Sequence, residues 1–175
     1  SCDLFVKWDT DTVFTNEEIT VSFPDSSLYD DLCFDYSMLV GGAGYYAKIH
    51  KLHNDDIPIM HPIELKIKTT LTDTTLKDKL TGVFISEKGS ISSEGGEYKD
   101  EFMIWTTKTF GKYSVMMDTK APVISPALAY EGRLMGNGTS MKFTLGDNLT
   151  GVKKYNAFID GKWVLGNGYV WDRDD

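Results

Sequence analysis

The sequence predicts an all-β protein built as two consecutive immunoglobulin-like β-sandwich units, the second apparently incomplete. Three observations predict it. Short apolar-polar alternations of period two recur along the chain, and no long 3.6-residue periodicity competes with them. Val, Ile, Thr, Tyr, Phe and Trp populate those runs, as a pleated, half-buried surface prefers. Turn signals separate the runs at roughly the eight-to-twelve-residue spacing of a sandwich.

The elements follow in order. Leu4–Trp8 is a first strand, and EITVSF at Glu18–Phe23 places Ile19, Val21 and Phe23 on one face. Cys33–Tyr36 alternates less cleanly, and Tyr45–Ile49 follows the glycine-rich turn Gly41-Gly42-Ala43-Gly44. Ile63–Lys68 (IELKIK) reads as a half-buried strand, apolar inside and charged outside. Leu71–Leu80 is the best helical candidate and is short enough to be only a turn. Further strands are expected at Gly82–Ser86, Glu101–Thr107, Lys112–Met117, Ser140–Leu145, Val152–Ile159 and Lys162–Leu165. Turns are expected at Pro24–Ser27, Glu94-Gly95-Gly96 and Asp160-Gly161.

A boundary is expected at Asp118–Pro122, where a strand meets an X-Pro step that favours extended backbone. Residues 1–118 then form one unit and residues 119–175 the second. An immunoglobulin sandwich wants about 100 residues. The 57 left for the second unit fall short of that, so a parent chain that continues is the simpler expectation.

A net charge of −8 and a pI near 4.8 argue against nucleic acid or an anionic membrane surface as the main partner. Only Arg133 and Arg173 are arginines, few for a phosphate reader. The longest uncharged stretch near the middle, Met38–Ala47, contains three glycines and is far shorter than the roughly 20 apolar residues of a membrane helix. No membrane span is therefore expected. Cys2 and Cys33 permit one bridge; the favoured reading is two unpaired thiols with Cys33 in a strand, and a lipidated Cys2 is a further alternative.

Motifs for chemistry are absent. His50, His53 and His61 match no zinc spacing, and a strand through His50 would send His53 to the opposite face. Asp147, Asn148, Thr150 and Asp160 offer oxygen ligands near turns, yet the glutamate that an EF-hand needs is missing; Asp147-Asn148 reads as an Asx-type turn closed by Gly151. There is no G-x-S-x-G, no phosphate loop and no singled-out carboxylate pair. No catalytic residue, metal or cofactor is assigned.

The segment 147–165, DNLTGVKKYNAFIDGKWVL, carries the clearest interaction signal. A two-residue loop at Asp160-Gly161 would set Phe158 opposite Trp163 and Ala157 opposite Val164. Tyr155, Ala157, Ile159 and Val164 then share one face, and Phe158 and Trp163 the other. Apolar residues on both faces require two coverings, one of them beyond the hairpin. Tyr155, Phe158, Trp163 and Trp171 are the expected interaction surface.

Those phrases also carry a resemblance. GKYSVMMDTKAPVI at 111–124, DNLTGVKKY at 147–155 and IDGKWVL at 159–165, with SLYDD at 27–31 and IPIMHP at 57–62, resemble the immunoglobulin-like C-terminal region of Bacteroidetes envelope proteins that carry a lysostaphin-type zinc peptidase domain. That family's catalytic His-x3-Asp and His-x-His are missing here. The resemblance implies a non-catalytic accessory segment of an exported envelope protein, in the periplasm or cell envelope. It would space or dock a peptidase domain or a partner, which could be protein or cell-wall glycan. A carbohydrate-binding module using Trp and Tyr platforms is the alternative.

Overall fold

The computed structural model describes residues 2–126, 142–152, 154–159 and 161–164. The described chain is nearly all-β, its regular structure being strands apart from one short 3-10 helix, as the alternation predicts. In order these are β1 (Leu4–Val6), β2 (Thr12–Thr15), β3 (Ile19–Phe23), β4 (Leu32–Phe34), β5 (Tyr36–Leu39), β6 (Ile49–Leu52), β7 (Ile63–Lys68), β8 (Leu80–Ile85), β9 (Ile91–Gly95), β10 (Glu97–Lys99), β11 (Phe102–Thr107), β12 (Gly111–Met117), β13 (Val123–Pro126), β14 (Phe143–Gly146), β15 (Ala157–Ile159) and β16 (Lys162–Val164). The chain divides into two compact units, Ser1–Lys120 and Ala121–Asp175.

The first unit is a β-sandwich. One five-stranded antiparallel sheet runs β10-β11-β7-β3-β2 and the other β5-β6-β12-β8-β9, with β1 and β4 forming a small ribbon. The alternation in β3 and β7 dictates the inner face: Ile19, Val21, Phe23, Ile63, Leu65 and Ile67 are all buried. Each such side chain contributes roughly 1.5–3 kcal/mol through apolar burial. From the other sheet come Leu52, Leu80, Tyr113 and Val115, which belong to the same apolar cluster. Phe34 at the end of the ribbon packs edge-on against Phe14 and Phe23, with ring centroids 5.4 and 5.3 Å apart. At Gly82 the backbone lies close against the Trp105 ring of the facing sheet, where a Cβ would lie 2.8 Å from it.

Several elements differ from expectation for local reasons. The strand expected at Cys33–Tyr36 breaks at Asp35, where the chain leaves the ribbon and enters the second large sheet. Glu94-Gly95-Gly96 is not a hairpin turn but a corner: β9 and β10 belong to different sheets, and φ is +73° at Gly95 and +114° at Gly96. A Cβ at Gly96 would meet Met103 and the Ile104 carbonyl within 3.0 Å. The stretch Leu71–Leu80 holds a 3-10 helix at Thr74–Lys79, capped by the Asp73 carboxylate on Thr75 N at 3.0 Å.

Cys2 and Cys33 are joined by a disulfide, Cα to Cα 5.2 Å, which corrects the expectation of unpaired thiols. The antiparallel ribbon explains it, since pairing Leu4 with Phe34 draws Cys2 and Cys33 together across 31 residues of sequence. With its sulfur in the bridge, Cys2 has no valence left for a lipid thioether.

In the second unit, β13 pairs with β14 and β15 with β16, both antiparallel. Val123–Pro126, just past the expected boundary, is thus a strand. Among the described residues of the strand expected at Val152–Ile159, only Ala157–Ile159 are in a strand.

Candidate interaction surface

The hairpin of the second unit has the expected register: Ala157 opposes Val164, Phe158 opposes Trp163 and Ile159 opposes Lys162. Gly161 takes φ of +75°, which a two-residue loop of this kind requires and a side chain resists. Directly opposed residues of an antiparallel pair share a face. The register therefore sets Phe158 and Trp163 side by side, and both stand in solvent, 63% and 58% exposed. Tyr155 is 40% exposed, just before the hairpin. Asp160 and Trp171 lie outside the described residues.

The turn that leads to this segment is organised by one carboxylate. Asp147 Oδ2 accepts backbone N–H bonds from Leu149 at 3.0 Å, Thr150 at 2.8 Å and Gly151 at 3.0 Å. These bonds, the one from Leu149 foremost, hold the carboxyl below its ordinary range. Gly151 closes the turn at φ +74°. The geometry is that of an Asx-type turn, as the sequence suggests.

Elsewhere in the second unit Val123, Ile124 and Phe143 are also exposed.

The histidines do not converge. His50 is fully buried in β6, with Nδ1 2.8 Å from the Tyr36 hydroxyl and Nε2 without a partner. Burial pushes its pKa down to about 4, against the pull of Glu18. His53 lies beyond β6, with a positive φ of 46°, and its Nδ1 accepts the Asp35 N–H at 3.3 Å. His61 Nδ1 lies 2.7 Å from the Ser26 carbonyl. Among the described residues no group of three or more His, Cys, Asp or Glu could hold a metal ion. No helix among them is long and apolar enough to cross a membrane.

Sequence reasoning missed one site-like feature, the apolar edge of β5. Met38, Leu39 and Val40 are exposed there. The signal was available in the uncharged run Met38–Ala47, which was weighed only as a membrane segment.

No curated protein matches the chain. The sequence profile of the Zu5-like domain matches residues 3–118, the whole two-sheet sandwich from β1 to the end of β12. Because that match covers well over half of its length, the chain belongs to the Zu5-like domain family.

Proposed function

We propose that this chain is a non-catalytic interaction segment of an exported cell-envelope protein, which spaces or docks a peptidase domain or another protein partner. The observation that carries the reading is the exposed Phe158–Trp163 pair, held on a hairpin whose loop and register fix its presentation. Aromatic side chains left in solvent bury large areas at little entropic cost when a partner covers them. The Cys2–Cys33 bridge supports an oxidising compartment, since such bonds persist outside the reducing cytosol. The similarity to regions that accompany lysostaphin-type peptidases supplies the kind of neighbour expected. The sandwich acts as a rigid spacer, and the second unit makes the contact.

A second reading keeps the same residues and changes the partner. An exposed tryptophan beside a phenylalanine also offers a flat face on which a sugar ring can stack, which favours cell-wall glycan.

A photoreactive residue placed at position 163 separates the two in envelope preparations. A discrete protein adduct, absent when the same probe stands at exposed Lys88, supports docking. Co-sedimentation with purified peptidoglycan sacculi that is lost on Trp163→Ala, with an unchanged melting curve, shifts the assignment to glycan. Turnover of muropeptides by the isolated chain overturns the non-catalytic reading.

A further inference from the structure

The first strand of the chain belongs to neither large sheet. Among the described residues β1 pairs only with β4, through Leu4–Phe34, Phe5–Cys33 and Val6–Leu32. Of its three side chains Val6 alone is fully buried, Leu4 is half-buried against the core and Phe5 is 56% exposed. The two large sheets supply most of the apolar core between them. A two-stranded ribbon as short as β1–β4 is marginal in water on its own hydrogen bonds.

The segment is held at both ends. At the far end the Trp8 N–H donates to Asp31 Oδ1 at 3.0 Å, and the Trp8 carbonyl accepts the Ser26 N–H at 2.7 Å. At the near end stands the Cys2–Cys33 bridge. Between them the Asp3 N–H donates to the Phe34 carbonyl at 2.9 Å, and Asp3 Oδ2 accepts the Tyr36 N–H at 2.8 Å. While the bridge is closed, Cys2–Val6 has no free end from which to peel. Cys33 occupies the exposed position of β4 and Cys2 is half-buried, so an incoming thiolate reaches the bridge from the Cys33 side.

We propose that this disulfide is a redox-sensitive latch: a dithiol reductant opens it and lets Cys2–Val6 leave the sandwich, hinged at Lys7. One thiolate of the reductant attacks Cys33 Sγ, and Cys2 leaves as a thiolate that takes up a proton. The second thiol of the reductant then displaces Cys33. The reductant departs as a disulfide, and two electrons and two protons end on the cysteines. Release strips β4 of its strand partner, brings Leu4 and Val6 into water and takes Asp3 away from the Tyr36 N–H at the start of β5. The latch thus ties the apolar surface of the first unit to the thiol–disulfide balance around it. It does not depend on the hairpin of the second unit.

Dithiothreitol without denaturant, followed by residue-resolved amide exchange of the full chain, tests the latch. The Asp3 and Tyr36 amides report the segment. Val21 and Leu65, paired across the central strands β3 and β7, report unfolding of the whole sandwich. Reduction should expose both thiols and speed exchange at Asp3 and Tyr36 by about tenfold or more beyond any gain at Val21 and Leu65, the mark of a local opening. Reoxidation should restore the protection. Cleavage after exposed Lys7 by a lysine-specific protease should likewise rise on reduction, and more than cleavage after exposed Lys88. The double variant Cys2→Ala with Cys33→Ala should show the reduced pattern with no reductant present and no response to adding it. A bridge that opens only in denaturant overturns the proposal. So does equal acceleration at all four amides, or unchanged protection of Asp3 and Tyr36 once both thiols are free.

Discussion

His50 makes the stability of the first unit sensitive to mild acid. Its ring is buried between the sheets, bonded to the Tyr36 hydroxyl through Nδ1 and unpartnered at Nε2. An imidazolium there would bring a buried charge with one N–H unsatisfied. Glu18, whose carboxylate Lys48 holds at 2.8 Å, attracts the proton, and Lys48 opposes it, but burial outweighs both. The folded pKa of about 4 stands below the ordinary 6.5, so the unfolded chain takes up the proton first as pH falls. This contribution is fully present above about pH 6.5, is lost progressively down to about pH 4, and is constant below. A gap of about 2.5 units at 1.36 kcal/mol each amounts to about 3 kcal/mol, a large part of the stability of a domain. Glu18, with its carboxyl lowered mainly by the Lys48 hydrogen bond, adds a loss of the same sign only below about pH 4.5. Glu94, raised by burial, acts with the opposite sign, and weakly because its residue is exposed. Guanidinium denaturation of wild type and His50→Phe between pH 4 and 8 isolates the histidine. The difference between the two curves should change by about 3 kcal/mol in favour of the variant from pH 7.5 to pH 4. Parallel curves across that range would refute the argument, whatever their absolute offset.

Three further outcomes follow from the packing. Replacing Cys2 and Cys33 together by Ser should cost about 3–4 kcal/mol, the loop-closure contribution for a bridge spanning 31 residues, read as a lower denaturation midpoint. Gly82→Ala should cost about 1–3 kcal/mol, because the new methyl falls 2.8 Å from the indole of Trp105, which lies in the core and cannot swing aside. Asp147→Ala should speed amide exchange at Leu149, Thr150 and Gly151 without lowering the melting temperature of the first unit. In the wild type that protection should persist on acidification to below the ordinary carboxylate pKa, since the folded carboxyl is held lower.

What could be read from the sequence was what side-chain alternation alone determines. Ile63–Lys68 forms a strand with the predicted bounds because a polar-apolar period of two has only one face it can bury, and β3 follows the same logic. The Phe158–Trp163 register was legible because a two-residue loop fixes the pairing on either side of it. The losses occur where a second chain segment decides. In β8 the residues Leu80, Thr81, Gly82 and Val83 are buried in succession, so both faces are covered and alternation carries no signal there. Short strands such as Thr12–Thr15 and Glu97–Lys99 hold too few residues to show a period, and they exist because longer neighbours offer them a ladder. The disulfide and the Gly95-Gly96 corner belong to the same class, since each depends on which distant strand lies alongside. His50 illustrates the consequence for function. Among the three histidines it is the one enclosed by both sheets, and nothing in its local sequence distinguishes it from His53, which lies just beyond the strand end. As the only three histidines they are the obvious metal candidates in the sequence, although their spacing matches no zinc site. The fold instead sets one of them against a tyrosine in the interior, where its chemistry is to resist a proton.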